Sequence, residues 1–230
     1  MVAEIDWSPL WISLQTAVTT IIIVFFLGVL AAWWVIRQKN EALKIFVEGI
    51  FTLPLVLPPT VVGFVLLMLL GNNRLVGRFF VEQLGVQLAF TWLATVITAT
   101  VMSFPLMYKS AKAALEQVDS GLWLAGRSLG MSEGLLFRRI ILPNALSGLI
   151  AGGILAFARA LGEFGATAML AGNIMGKTRT LPLAIYSEVV GGDMESAGWY
   201  ALVVILLCFF MLVTLNVYLY KCRKRENRGV

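Results

Sequence analysis

The sequence predicts an all-α, polytopic helical bundle embedded in a membrane, on three observations. First, the 230-residue chain is 59% hydrophobic and only 13% charged, with a mean hydropathy of +0.86, whereas a soluble domain carries about a quarter charged residues. Second, charge-free runs exceed the ~20 residues that a helix needs to cross a bilayer: 7–36 has 30 residues, 49–73 has 25, 83–108 has 26 and 196–220 has 25. Third, the basic residues gather between these runs, the pattern that loops at a membrane surface adopt. At this length, residues 1–230 read as one transmembrane domain.

The first helix is expected near 10–36. No positive stretch precedes it, and its apolar length far exceeds the ~7–15 residues of a cleavable signal peptide. The second is expected near 49–71 and contains Pro54, Pro58 and Pro59. Pro59 cannot donate to the Leu55 carbonyl, nor Pro58 to that of Pro54. Carbonyls freed at membrane depth must be buried in protein or line a wet cavity. The cluster therefore reads either as a broken helix beside a pathway or as a kink that serves packing. The third helix is expected near 88–108. Between Ile140 and Gly176 only Arg159 and Glu163 are charged, which places another helix near 146–171. The last is expected near 198–220.

Arg159 and Glu163 stand four residues apart inside a predicted span. A charge at mid-membrane costs about 2.5–3.5 kcal/mol, so neither should face lipid. At 100° per residue they share a face with Gly148, Gly152 and Ala156, a small-residue stripe suited to close helix packing. Two readings follow: a buried ion pair that fixes packing, or a pair on or beside the path of an anion.

Charge bounds function and sets orientation. The net charge is +5 with a pI near 9.4. In a membrane chain this excess reports cytoplasmic loops and lipid headgroups, not nucleic acid. Histidine is absent, which excludes imidazole catalysis and imidazole metal ligation. Cys208 and Cys222 would lie ~21 Å apart on one helix, too far for a disulfide within the chain. With the N-terminus outside and the C-terminus cytoplasmic, thirteen basic residues face the cytoplasm: Arg37, Lys39 and Lys44; Lys109, Lys112, Arg127, Arg138 and Arg139; and Lys221, Arg223, Lys224, Arg225 and Arg228. Four, Arg74, Arg78, Lys177 and Arg179, face outside. This asymmetry fixes the topology and puts the loop at about 109–145 on the cytoplasmic side. The basic tail reads as an anchor to anionic headgroups. The external segments 72–87 and 172–197, short and mixed in charge, read as plain connectors or as a surface that receives a partner.

Within the cytoplasmic loop, Asp119 and Ser120 can cap a short helix, and Gly130 suits the left-handed position that ends it. Leu122, Ala125, Gly126 and Leu129 fall on one face, where the small pair Ala125 and Gly126 admits a close neighbour. A second short helix is expected from about Ser132, with Leu135, Leu136 and Ile140 apolar and Arg138 and Arg139 basic, ended by Pro143 before the next span. Taken alone, this amphipathicity also fits a helix lying at the membrane interface.

Residues 125–143 read A-G-R-S-L-G-M-S-E-G-L-L-F-R-R-I-I-L-P. Gly130, nine residues, then Ile140-x-Leu142-Pro143 resembles the cytoplasmic coupling loop of ABC-importer permeases, which rests on the ATP-hydrolysing subunit. The family pattern is Glu-Ala-Ala, three residues, Gly, nine residues, Ile-x-Leu-Pro. Leu124 stands at the Glu position and Gly126 at the second Ala. The resemblance makes Leu122, Leu124, Ala125, Gly126, Leu129, Gly130, Arg138, Ile140, Leu142 and Pro143 the residues expected to couple to an ATPase. The likeness extends to L-P-L-V-L-P-P-T-V-V-G at 53–63, M-S-F-P-L at 102–106, L-A-F-A-R-A-L-G-E-F-G-A-T at 155–167 and T-R-T-L-P at 178–182. It covers the chain from about residue 7 to 199. On these segments the sequence is similar to the sulfate/molybdate/tungstate importer permeases, and its shortness and five spans favour the molybdate branch.

That resemblance implies an ABC-importer permease fold and a subunit that moves a tetrahedral oxyanion, molybdate first, with tungstate or sulfate as alternatives. It implies a homodimer in the cytoplasmic membrane, two cytoplasmic ATP-binding subunits and an external oxyanion-binding protein. ATP and Mg²⁺ would belong to the partner subunit, and the chain itself would hold no cofactor, metal or catalytic residue. A stand-alone secondary transporter or channel is the rival from another class; such proteins often show inverted repeats, and none is evident. A membrane-embedded enzyme is disfavoured by the lack of histidine and of paired carboxylates in a span. The segment A-G-N-I-M-G-K-T at 171–178 nearly matches a phosphate-binding loop. It lacks the first glycine, follows a membrane helix and precedes Pro182, so it is read as a chance match.

Overall fold

Lipid offers no partner to a free N–H or C=O, so a chain of this composition must satisfy its backbone within its own helices. The computed structural model describes residues 5–226, apart from the side chains of Leu75, Arg223, Arg225 and Glu226; Arg228 lies outside the described residues. Helix is the only regular structure among them.

The first helix, α1 (Ser8–Ile36), starts where Asp6 accepts from the Ser8 N–H and hydroxyl at 2.9 and 2.7 Å. At 29 residues it is ~43 Å long. The second expected span is two helices, α2 (Glu41–Val56) and α3 (Pro59–Leu70), bent 112° at the break. Proline chemistry sets the elbow. A residue before proline is driven out of the helical region: Leu57 has ψ 143° and Pro58 has ψ 133°. The segment 72–87 holds a short helix, α4 (Leu75–Leu84), closed by Gly85 at φ 64°.

The third expected span, α5 (Trp92–Glu116), starts later than predicted and runs further into the loop. It is the central helix, packed against α1, α2, α8 and α9. Because protein and not lipid surrounds it, it tolerates hydroxyls. Thr95 bonds Thr16 of α1 at 2.8 Å, Thr98 bonds Thr167 at 2.9 Å, and the Trp92 indole donates to Thr16 at 3.1 Å. Such bonds hold helices together where lipid cannot.

The loop folds as α6 (Ser120–Ser128), α7 (Glu133–Leu136) and a π-helical turn (Phe137–Ile141). Pro143 does not end a helix, contrary to expectation. The chain continues through it into α8 (Leu142–Leu161), and Glu133–Leu161 is one apolar segment of 29 residues. The π turn makes this continuity feasible. The Leu142 N–H donates to the Phe137 carbonyl, and the Asn144 amide donates to the Ile140 carbonyl at 2.7 Å, so carbonyls around the proline keep donors.

The expected helix at 146–171 is also broken. After α8 the chain turns at Gly162 and Glu163 and restarts as α9 (Gly165–Leu170). The segment 172–197 is not a plain connector. It holds α10 (Leu181–Gly191), whose Leu181, Leu183 and Ala184 are buried. The Leu181 N–H donates to the Ser13 hydroxyl at 2.7 Å, and the Tyr200 hydroxyl to the Asp6 carbonyl at 2.7 Å. The last helix is α11 (Met194–Glu226).

Helices α1, Glu133–Leu161 and α11 are apolar and long enough to cross a membrane, and the bent α2–α3 pair makes a fourth. With its 25 residues, α5 is long enough for a fifth at ~37 Å. The small-residue stripe on α8 does pack closely: a Cβ on Gly148 would lie 2.7 Å from the Ala114 Cβ, and one on Gly152 would strike the Ser110 Cβ.

Candidate functional site

The loop's conformation follows its local chemistry. Asp119 Oδ1 accepts from the Gly121 N–H at 2.7 Å and starts α6. Gly130 has φ 71°, a conformation that L residues rarely adopt, and reverses the chain. The Ser132 hydroxyl accepts from the Leu135 N–H at 3.4 Å and starts α7. The predicted single face of α6 divides in two. Gly126 is buried against its own chain, where an added Cβ would strike Leu136 and lie 3.4 Å from Ile140. Its small size thus seats α6 on α7 and the π turn and does not admit an outside partner. Leu122, Ala125 and Leu129 point outward, as does Leu124; Leu124 is 64% and Leu129 80% exposed. A nine-residue helix showing two leucines, with a third at its C-cap, is an apolar surface that its own chain leaves uncovered. Arg138 and Pro143 are exposed, and Ile140 and Leu142 half-buried.

The charge pair lies elsewhere. Twenty residues separate Leu142 from Leu161 along α8, ~30 Å of helix, so the loop and the pair sit at opposite ends. Arg159 Nη1 and Glu163 Oε2 are 2.7 Å apart, an ion pair and not an aligned hydrogen bond. The Glu163 side chain is 2% exposed and that of Arg159 29%. Glu163 is not inside the helix but just beyond it, and its Oε1 accepts from the Ala166 N–H at 2.8 Å. One carboxylate thus neutralises Arg159 and satisfies the free backbone at the start of α9. The break at 162–164 is held by this side chain.

The two broken helices meet, which sequence patterns did not indicate. A Cβ on Gly165 would lie 2.9 Å from the Pro59 Cβ, and one on Gly63 would lie 2.7 Å from the Ala166 Cα. Pro58 and Pro59 therefore form an elbow packed on the α8–α9 break, whereas Pro54 lies within α2. Arg179 is withdrawn from any outside partner. It is buried, and its guanidinium donates to Asn173 at 3.0 Å, Ser187 at 3.0 Å and Glu188 at 2.9 Å. The near phosphate-loop is a closed turn: the N–H groups of Lys177, Thr178 and Arg179 all donate to the Ile174 carbonyl and offer no anion cradle.

Sequence reasoning passed over Trp33, Trp123 and Glu133, and read Arg37 only as a basic residue on the cytoplasmic side. The available signal was a repeated W-x-x-x-R, Trp33 to Arg37 and Trp123 to Arg127.

These features define a multi-pass membrane transport component, and the chain belongs to the family of binding-protein-dependent transport system inner membrane components, whose model matches residues 14–225. Among its relatives, the molybdenum transport system permease protein ModB of Escherichia coli (strain K12) is 37% identical over 91% of this chain and 92% of its own. YvgM of Bacillus subtilis (strain 168) is 41% identical over 90% of each. The fold is similar to a chain of the MetNI methionine ABC transporter in its inward-facing conformation, with TM-score 0.73, 17% identity, and coverage of 96% of this chain and 99% of that one.

Proposed function

We propose that this chain is the membrane-spanning permease subunit of an ATP-driven importer of molybdate. The observation that carries this reading is the 37% identity, over nine-tenths of both chains, to a protein named for molybdenum transport. A permease of this kind supplies the path and leaves ATP-Mg binding and hydrolysis to two cytoplasmic subunits, which dock on the exposed leucines of α6. It works as a homodimer and receives its cargo from an external oxyanion-binding protein. The chain sits in the cytoplasmic membrane with the N-terminus outside and the C-terminus inside. Thirteen basic residues against four support that orientation. So does the Arg37–Glu133 ion pair at 3.5 Å, which brings 37–48 and the loop to one end of the bundle.

In this reading Arg159, one-third exposed and beside the α2–α3 elbow's partner helix, contacts the anion, and Glu163 keeps its charge from trapping it. Proteoliposomes holding the chain with its ATP-binding subunits and binding protein test the proposal. ATP-dependent molybdate uptake is expected. Uptake of sulfate but not molybdate would move the cargo to the sulfate branch, and ATP-independent uptake by the chain alone would establish a stand-alone transporter.

A further inference from the structure

The two W-x-x-x-R segments lie on different helices, α1 and α6, and close on each other. The Trp33 and Trp123 rings stack at 5.3 Å and 21°. Each arginine lies over its own tryptophan, Arg37 at 5.1 Å and Arg127 at 6.0 Å from the ring centroid. Between the two cations stands one carboxylate: Glu133 Oε2 is 3.5 Å from Arg37, and Oε1 is 3.0 Å from Arg127. Phe137 backs the Trp33 ring at 4.3 Å.

We propose that Glu133, held between Arg37 and Arg127, is a positioning residue that locks α6 to the end of α1, so that displacement of α6 is delivered to α1 as well as to α8. This rests on the importer reading above. The physical argument concerns geometry more than strength. Half-exposed ion pairs add little stability singly, but a carboxylate shared by two ring-stacked guanidiniums fixes orientation. Gly126 seats α6 on Leu136, at the root of the α8 segment. Without Glu133, α6 would still press on α8, while its hold on α1 would lose the charged bridge and keep the stacked rings. Helix α1 packs along α5 and α8, so motion given to it reaches the bundle interior.

The test measures uptake per ATP hydrolysed in the complete reconstituted importer. Glu133→Gln should lower this ratio about fivefold. Arg127→Gln should do the same, and the double variant should lose no more than either single one. Glu133→Asp, which keeps the charge, should restore most of the ratio. A Glu133→Gln ratio within about twofold of the parent overturns the proposal, as do losses that multiply in the double variant. Independently of the charge variants' assembly, spin labels at Lys39→Cys and Ser128→Cys, with Cys208 and Cys222 replaced by Ser, should keep one separation with and without trapped nucleotide. A change of about 5 Å, one helical turn, overturns the lock. Absence of ATP-dependent uptake by the parent complex would instead defeat the importer reading.

Discussion

Removing Glu163 tests whether its carboxylate holds the break in the α8–α9 span. The side chain does two things at once, pairing with Arg159 at 2.7 Å and accepting from the Ala166 N–H at 2.8 Å. Breaking a buried pair costs about 3–5 kcal/mol, and the partly exposed Arg159 places Glu163→Ala at the low end. The orphaned Ala166 N–H adds about 1 kcal/mol. A total of about 4 kcal/mol is a large share of the ~5–15 kcal/mol that holds a fold, so the yield of folded protein should fall sharply. Arg159→Ala should also cost about 3–5 kcal/mol, because it strands a carboxylate that is 2% exposed. The double change to Gln at both positions keeps an acceptor for Ala166 and a neutral hydrogen-bonding pair, so much of the yield should return. If Arg159 also contacts the anion, uptake by the double variant stays reduced despite normal assembly. Folded yield and reconstituted uptake, measured on parent, single and double variants, separate the roles. Full yield and full uptake in both single variants would refute the reasoning and mean that these charges reach water.

Three further outcomes are expected. Gly130→Leu should lower transport-coupled ATP hydrolysis while leaving membrane insertion intact, since leucine is strained at φ 71°; unchanged coupled hydrolysis and uptake would remove 120–143 as the coupling element. Gly152→Leu should destabilise the bundle by about 1–3 kcal/mol through overpacking against Ser110, read as a lower melting temperature in detergent. In a cysteine-labelling scan on a background with Cys208 and Cys222 replaced by Ser, position 74 should react from outside and positions 112 and 224 only from inside. Labelling of position 112 from outside would overturn the proposed orientation.

The amino-acid sequence by itself determined the features that depend on neighbours a few residues away. Charge-free length marks the spans because each residue's transfer cost adds along one helix. The cap at Asp119 and the reversal at Gly130 were legible because a side chain two residues away, or the lack of one, decides them. A break or kink at Pro58 and Pro59 was legible for the same reason, and the 19-residue spacing of the loop carried the family. Tertiary structure decided what depends on how the helices break, continue and pack. Pro143 reads as a stop, yet the π turn and the Asn144 amide carry the helix past it. Glu163 reads as mid-span, yet the backbone at Ala166 and the elbow at Pro59 place it in a break. Gly126 reads as a seat for a partner, yet Leu136 fills it. Arg179 reads as part of an outer connector or partner-receiving surface, yet Asn173, Ser187 and Glu188 take up its donors. In the W-x-x-x-R pair, the sequence contained both halves 90 residues apart, and only packing of α6 against α1 brought Glu133 between them. The physical reason is that apolar transfer and turn strain belong to a residue and its own backbone, while hydrogen bonds, ion pairs and close packing depend on which groups the folded chain brings together, from Ile140 and Asn144 within one turn to Trp33 and Trp123 on separate helices.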